Sequence, residues 1–133
     1  MISDSRSARI AAIEASRYLS LTTFRRTGAA VPTPVWFARL HDGWFAFSAG
    51  TAGKIKRLRH TSRVLVAPCS ARGRIYGETV ETRAELIDDT AAAELAYAAL
   101  RARYGWQMTL LDWLSSLSGR RAERQVIKIV LPD

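Results

Sequence analysis

The chain is poor in the residues that build metal centres and thiol redox sites. Its 133 residues include one cysteine, Cys69, and two histidines, His41 and His60. A single cysteine excludes an internal disulfide, and neither Cys-x-x-Cys nor His-Glu-x-x-His occurs. We therefore expect no metal site and a reducing, cytoplasmic environment.

Long apolar runs and the common nucleotide-binding or nucleophile motifs are also missing. No segment approaches the roughly 20 apolar residues of a membrane-spanning helix, and charges interrupt the first twenty residues, unlike a targeting segment. The patterns Gly-x-Gly-x-x-Gly, Walker A and Gly-x-Ser-x-Gly are absent from the sequence. We expect no membrane association, and no side chain stands out as an acid, a base or a nucleophile.

Positive charge is abundant and unevenly distributed. Residues 1–76 contain 13 Lys or Arg against 3 Asp or Glu, whereas residues 77–133 contain 7 against 9. This excess indicates an anionic partner. Charge alone does not distinguish among nucleic acid, a membrane surface and a small polyanion. The length and the 48% hydrophobic content predict one folded domain over residues 1–133.

Alternating and apolar stretches predict six β-strands. They are Tyr18–Phe24, Val31–Leu40, Trp44–Ser48, Arg63–Cys69, Ile75–Ile87 and Gln125–Leu131. The turn His41-Asp42-Gly43 joins two of them as a hairpin. Because most connections are short, the pattern favours a mainly β fold with short helices, a six-stranded antiparallel barrel.

Four helical segments accompany these strands. They cover residues 6–16, the basic stretch near 53–59, residues 90–104 after the capping pair Asp88-Asp89, and residues 109–117 before Gly119. In the third helix we expect Leu95, Ala99 and Ala102 to form the packed stripe.

The segment Ser48–Arg59 carries the strongest chemical signal. Two glycines and two hydroxyls follow a strand, and four cations occupy six residues (Lys54, Lys56, Arg57 and Arg59). A glycine-rich turn that opens a basic helix suits a phosphate, because free amides, the helix dipole and cationic side chains converge there. The alternative is a solvated basic helix whose Ile55 and Leu58 plug the barrel. Residue spacing alone gives the phosphate site and this alternative equal weight.

The segment Thr33-Pro34-Val35-Trp36-Phe37 complements it. Prolines cannot donate ladder hydrogen bonds, so this strand has an irregular or open edge. Opposite, the aromatic strand Trp44–Ser48 leads directly into the basic segment. A planar, aromatic-lined slot beside a phosphate site suits a flavin-like ring with a phosphorylated tail.

These residues resemble the motifs of the split β-barrel flavin and deazaflavin oxidoreductases, the pyridoxamine-phosphate-oxidase-like superfamily. The matching segments are Thr33–Phe37, Gly53–Arg59, Arg63–Cys69 with Arg72-Gly73-Arg74, Tyr104-Gly105-Trp106 and Gly119–Glu123. The resemblance implies an FMN-binding split barrel that forms a homodimer, with two cofactor sites between the protomers. In this branch the implied cofactor is coenzyme F420, an 8-hydroxy-5-deazaflavin, with FMN as the alternative.

The resemblance also implies roles for individual residues. Lys54 and Lys56 would hold the phosphate with Thr51 and the Gly53 amide. Ser48 and the backbone of Thr33, Pro34 and Val35 would meet the ring and the ribityl chain. Arg57 and Arg59 are weaker candidates, and either could meet an anionic tail or be solvated.

The implied activity is hydride transfer to a conjugated small molecule. Nothing in the sequence requires a proton donor, although Tyr76 or an arginine of the loop Arg72-Gly73-Arg74 could serve as one. Vitamin B6 oxidation is not expected, because the C-terminal substrate-phosphate residues of the oxidases proper have no equivalent here. Two alternatives stay open: an FMN- or haem-binding barrel, and a basic nucleic-acid-binding barrel. In the latter, the stacking surfaces would be Trp36, Trp44, Phe45 and Phe47.

Overall fold

The computed structural model describes residues 2–118 and 124–133. The strands of this part are β1 (Tyr18–Phe24), β2 (Ala30–Val35), β3 (Ala38–Leu40), β4 (Gly43–Ala49), β5 (Arg63–Cys69), β6 (Val80–Ile87) and β7 (Arg124–Val130). The helices are α1 (Ile2–Glu14), α2 (Gly53–His60), α3 (Thr90–Tyr104) and α4 (Trp106–Ser118). The motif Gly119–Glu123 and the expected helix end near Gly119 lie outside the described residues.

All strand pairs are antiparallel, and they form one sheet in the order β2-β1-β5-β6-β7-β4-β3. The two edge strands, β2 and β3, are consecutive in the sequence and separated by Trp36 and Phe37 alone. The sheet must therefore curl until its edges nearly meet. Among the described residues no ladder joins β2 to β3, so the barrel is split along this line.

The prediction of six strands was wrong, because the expected strand Val31–Leu40 is two strands. The break falls at Phe37, whose side chain is fully buried. The Tyr104 hydroxyl accepts a hydrogen bond from the Phe37 amide at 3.0 Å and lies 3.0 Å from the Phe37 carbonyl. A side chain thus satisfies the backbone of Phe37 in place of a neighbouring strand.

The barrel interior is a single apolar cluster that helices close. Ile10 and Ile13 of α1 and Ile55 and Leu58 of α2 pack into it with fully buried Trp44. The prediction that Ile55 and Leu58 plug the barrel is confirmed. It does not compete with a functional role for α2, because the charged side chains of the helix stay partly or fully exposed.

Two further expectations need correction. The strand predicted to start at Ile75 starts at Val80, since Ile75 makes an isolated bridge to Cys69 before the chain turns. Helix α3 buries Ala96, Leu100 and Tyr104. Of the predicted stripe, Ala99 packs against this cluster, whereas Leu95 and Ala102 are exposed, so the prediction was wrong for these two. Tyr104, on the buried face of α3, bonds the backbone of Phe37, and this contact requires the observed rotation of the helix.

Helix α3 begins as the sequence predicts. The Asp89 side chain accepts a hydrogen bond from the Ala92 amide at 2.8 Å, a regular N-cap. Across the described part of the chain, every helix lacks the combined length and apolar character that crossing a bilayer demands.

Candidate functional site

A cavity of about 370 Å³ lies where β2 ends at the split of the barrel. Its walls come from β1, β2, the link after β2, β4, α2 and α4. The lining residues are Tyr18, Pro34, Val35, Trp36, Phe47, Lys54 and Leu111. We call this space the aromatic cavity; its volume is within the range of ligand pockets.

The aromatic walls of this cavity are held by packing behind them. The Trp36 ring stacks on Tyr104 with centroids 4.6 Å apart and planes at 11°. Phe47 packs against Tyr97 at 5.7 Å, and the Arg124 guanidinium lies 4.6 Å from the Phe47 ring centre. Both rings are therefore fixed before any ligand arrives, which reduces the entropy lost on binding.

Lys54 provides the positive charge at this cavity. It occupies the first turn of α2, and its side chain is half-buried. Burial is the main cause that lowers the pKa of Lys54, and the nearby charge of Arg57 lowers this pKa further. No carboxylate pairs with Lys54 in the ion pairs of residues 2–118 and 124–133. An incoming anion would relieve both effects.

The start of α2 has unused donors next to Lys54. The residue before the helix, Ala52, has no side chain that could accept from the first-turn amides. The Ile55 amide donates to the Ala52 carbonyl at 3.1 Å, so the Gly53 and Lys54 amides are the ones that an anion could use, and the helix dipole favours an anion there.

Arg57 folds back toward this helix start. Its Nε donates a 2.6 Å hydrogen bond to the Thr23 hydroxyl. A Cβ atom at Gly53 would lie 2.7 Å from Arg57 Nη1, so the guanidinium occupies space that only a glycine leaves open. Burial lowers the pKa of Arg57, and the charge of Arg25 contributes in the same direction.

A second cavity, of about 340 Å³, lies beyond Arg57 between α2 and the end of β1. It is lined by Phe24, Arg25, Arg26, Lys56, Arg57, Arg59 and His60. We call it the basic cavity, because five of its lining residues are cations and none is acidic. Within the described residues none of these cations forms an ion pair.

The structure groups the residues predicted for the cofactor into three sets. Pro34, Val35 and Lys54 come together in the aromatic cavity, while Lys56 and Arg57 line the basic cavity. The remaining four lie outside both linings: Thr33, Ser48, Thr51 and Gly53. Ser48 is buried, on the same face of β4 as Trp44 and Ala46, whereas Phe47 points to the aromatic cavity.

Four lining residues are not among those predicted for the cofactor. Trp36 and Phe47 belong to the two segments predicted to form the aromatic slot, whereas Leu111 and Tyr18 were not expected. Leu111 comes from α4, far along the chain, and no local pattern connects it with β2. Tyr18 begins β1 at an outward position, which strand alternation does predict. The candidate proton donor Tyr76 lies elsewhere, since its hydroxyl is 2.7 Å from Ser16 Oγ and donates to the Cys69 carbonyl at 3.0 Å.

The residues of the aromatic cavity fit an anionic ring cofactor. Aromatic and proline side chains suit a planar ring, and Lys54 with the α2 amides suits a phosphate. The edge strand β2 leaves alternate backbone groups facing away from β1, free to meet polar ring atoms. Tyr18 and Lys54 are the titratable side chains of this lining, so the chain itself offers little acid–base chemistry.

The fold and this site define a split-barrel protein of the pyridoxamine-phosphate-oxidase-like superfamily. The pyridoxamine 5'-phosphate oxidase family model matches residues 8–131, and the chain belongs to that family. Proteins of this fold family bind flavins such as FMN and FAD. No protein of curated function matches the chain.

Several solved structures share the fold. A conserved protein from Mycobacterium tuberculosis has a TM-score of 0.70 at 19% identity, over 94% of this chain and 79% of its own. HutZ, a haem storage protein from Vibrio cholerae, has a TM-score of 0.64 at 17% identity, over 99% and 87%. An FAD-binding protein from Mesorhizobium loti has a TM-score of 0.62 at 18% identity, over 93% and 85%. At such identities these similarities establish the fold alone.

Proposed function

We propose that this protein is an oxidoreductase that uses coenzyme F420, with the deazaflavin ring in the aromatic cavity and the first phosphate at the start of α2. The observation that carries the proposal is the position of Lys54. It is a half-buried cation to which no carboxylate of the described residues is paired, on the wall of a cavity whose other walls are aromatic or apolar.

The basic cavity favours F420 over FMN. The tail of F420 continues beyond its phosphate as further anionic groups, whereas FMN ends at the phosphate. Lys54 and Arg57 are close enough for the charge of one to lower the pKa of the other, and Arg57 also lines the basic cavity. Positive charge therefore continues from one cavity to the next, as a long anion requires.

Within this proposal the cofactor supplies hydride chemistry, and the residues of the chain bind and orient. Lys54 and the α2 amides hold the anionic end. Trp36 and Phe47, fixed by the rings behind them, set the plane of the slot. The expected substrate is a poorly polar molecule with an activated C=C or C=N bond, such as a quinone, an enone or a tetrapyrrole.

The proposal includes a homodimer with the cofactor between protomers, as the family resemblance implies. The nucleic-acid alternative loses support from burial. Trp44 is fully buried and Phe45 is 7% exposed, so neither can stack on a base.

The second candidate function is an FMN-binding split barrel. Its support is the aromatic cavity itself, which would suit a flavin ring as well as a deazaflavin ring, and the flavin binding of the fold family. In that case the basic cavity would have no role in cofactor binding.

A titration of purified protein with oxidised F420 and, separately, with FMN tests the proposal. Fluorescence quenching measures both dissociation constants. We expect F420 to bind in the micromolar range or tighter and to bind better than FMN. Protein that is yellow as purified and releases FMN on heating would favour the second candidate, and failure of both ligands to bind would refute both.

A further inference from the structure

A cleft of about 410 Å³ lies between α1 and the end of β5. Four of its lining residues stand on α1 at positions i, i+3, i+4 and i+7, so they share one face of the helix. Ile10 and Ile13 of the same helix pack into the barrel interior, which leaves this second face free to line the cleft. We call the space the α1 cleft; it is lined by Ser5, Ala8, Arg9 and Ala12 of α1, by Pro68 of β5 and by Glu78.

Arg9 has hydrogen-bond donors that the described residues do not use. Its Nη2 donates to the Asp133 carbonyl at 2.7 Å, and Arg6 Nε donates to the Pro132 carbonyl at 2.9 Å, so α1 is held against the residues that follow β7. Among the described residues, Arg9 Nε is the buried polar side-chain atom without a hydrogen-bond partner. A guanidinium has five N–H donors. An acceptor that enters the cleft beside Arg9 would therefore satisfy a group that otherwise stays unpaired.

Glu78 brings a negative charge to the same cleft. The segment before β6 fixes its position, because the Tyr76 amide donates to the Pro68 carbonyl at 3.2 Å. A Cβ atom at Gly77 would lie 2.4 Å from Pro68 Cγ, so the glycine lets the chain pass close to the proline ring. Within residues 2–118 and 124–133, neither Arg9 nor Glu78 takes part in an ion pair. The cleft thus holds one cation and one anion that are not paired with each other.

We propose that the α1 cleft binds a small zwitterion, an α-amino acid with an aliphatic side chain. The carboxylate of the ligand binds Arg9, and its ammonium group binds Glu78. A simple anion would be repelled by Glu78, and a simple cation would be repelled by Arg9. A ligand that carries both charges is therefore the one that this pair of side chains selects.

The rest of the lining indicates the side chain of the ligand. Ala8, Ala12 and Pro68 are apolar, and Ser5 is the one other polar residue. An aliphatic group covers such a surface favourably, whereas a further charge would lose water there without gaining a partner. The volume of the cleft is within the range of small-molecule pockets.

This site is independent of the proposed cofactor site. The α1 cleft shares no lining residue with the aromatic cavity or the basic cavity. Amino-acid binding can therefore be measured without F420, and its presence or absence has no bearing on the proposed function.

A nuclear magnetic resonance titration of the isotope-labelled native chain with L-leucine tests the proposal. Two compounds with the same side chain are the matched probes: isocaproate lacks the ammonium group, and isoamylamine lacks the carboxylate. We expect L-leucine to bind with a dissociation constant of about a millimolar and to shift the amide signals of α1 and of the segment around Gly77. Each singly charged probe should bind at least about fivefold more weakly.

Two variants assign the charges. Glu78→Gln keeps the shape of an exposed side chain and should weaken L-leucine binding about fivefold. Arg9→Gln should weaken it about tenfold, because a charge-assisted hydrogen bond is lost. Glu85→Gln is the matched control: Glu85 is an exposed glutamate of β6 outside the cleft, and its replacement should leave the affinity unchanged. Circular dichroism verifies the folds, and Glu78→Gln decides the test even where Arg9→Gln disturbs α1.

Four results would overturn the proposal. They are no L-leucine binding at millimolar concentration, binding of either singly charged probe as tight as that of L-leucine, an unchanged affinity in Glu78→Gln, and signal shifts confined to the aromatic cavity.

Discussion

Gly53 leaves the space that the Arg57 guanidinium occupies at the start of α2. A Cβ atom at position 53 would lie 2.7 Å from Arg57 Nη1 and 3.5 Å from its Cζ. The glycine therefore allows an arginine from the next turn to fold back over the first turn, where Lys54 also lies. The result is two cations and a set of free amides at one helix start.

Gly53→Ala should weaken anion binding with little loss of stability. The added methyl group meets the far end of a flexible side chain, so Arg57 can move away at low cost, while its bond to Thr23 is disturbed. We expect the F420 affinity to fall several-fold and the free energy of unfolding to change by less than about 1 kcal/mol. Thr23→Val, which removes the same anchor without filling space, should lower the affinity similarly. Unchanged affinity in both variants would show that the position of Arg57 does not matter.

Asp112→Asn should destabilise the protein. The Arg124 side chain is 5% exposed and bonds Asp112 at 2.7 Å and Ser115 Oγ at 2.7 Å. Removing one charge of a nearly buried pair leaves the other poorly compensated, at a cost of about 3 kcal/mol. Urea unfolding measures this cost. Arg63→Gln, which breaks the exposed pair with Glu81, is the control and should cost less than about 1 kcal/mol. Equal losses would contradict the prediction.

Tyr104→Phe should also destabilise the fold, through the split of the barrel. Tyr104 is 3% exposed, and its hydroxyl accepts from the Phe37 amide and lies 2.8 Å from the Arg17 carbonyl. Losing the hydroxyl leaves a buried amide without its acceptor, at a cost of about 2 kcal/mol. Tyr76→Phe, at a residue that is 60% exposed, should cost clearly less by the same urea assay. A Tyr104→Phe variant as stable as the native chain would show that water or another group replaces the hydroxyl.

The sequence predicted most local structure, because local rules decide it. The strands Tyr18–Phe24 and Arg63–Cys69 have the predicted bounds, and Asp89 caps α3 as expected. The break at Phe37 could not be predicted, since its cause is Tyr104, which lies 67 residues further along the chain. The same long-range contact fixes which face of α3 is buried, and that face was predicted wrongly at Leu95 and Ala102.

The candidate site was also predicted where local patterns decide it and not where long-range packing does. The basic helix and the proline strand were visible as local patterns, and the structure brings Pro34, Val35 and Lys54 together as they suggest. Helix periodicity predicts that Lys54 and Lys56 separate, since residues two apart on a helix point about 200° apart. Which of the two faces the aromatic residues could not be predicted, because it depends on how Ile55 and Leu58 dock into the barrel.

The pH dependence of binding should reflect the lowered pKa of Lys54, whose causes are burial and then the charge of Arg57. Between this lowered pKa and the ordinary lysine value, Lys54 is neutral in the folded chain and protonated in the unfolded chain. The contribution of Lys54 to the free energy of unfolding of the free protein therefore rises with pH across that window. A bound anion favours the protonated form, so F420 binding there should take up protons and weaken as the pH rises.

Calorimetric titration with F420 in two buffers of different ionisation enthalpy measures this proton uptake. The Lys54→Met variant should lose the proton uptake that Lys54 causes. Proton exchange that is absent in the native chain, or unchanged in the variant, would contradict the assignment to Lys54.

The central claim is that Lys54, at the aromatic cavity, holds the anionic cofactor. The most direct test is a fluorescence titration of the native chain, Lys54→Met and Lys56→Met with oxidised F420, using circular dichroism to verify the folds. We predict that Lys54→Met weakens binding by more than about tenfold, or about 1.4 kcal/mol, and that Lys56→Met weakens it by less than about threefold. Equal affinities for the native chain and Lys54→Met would contradict the claim.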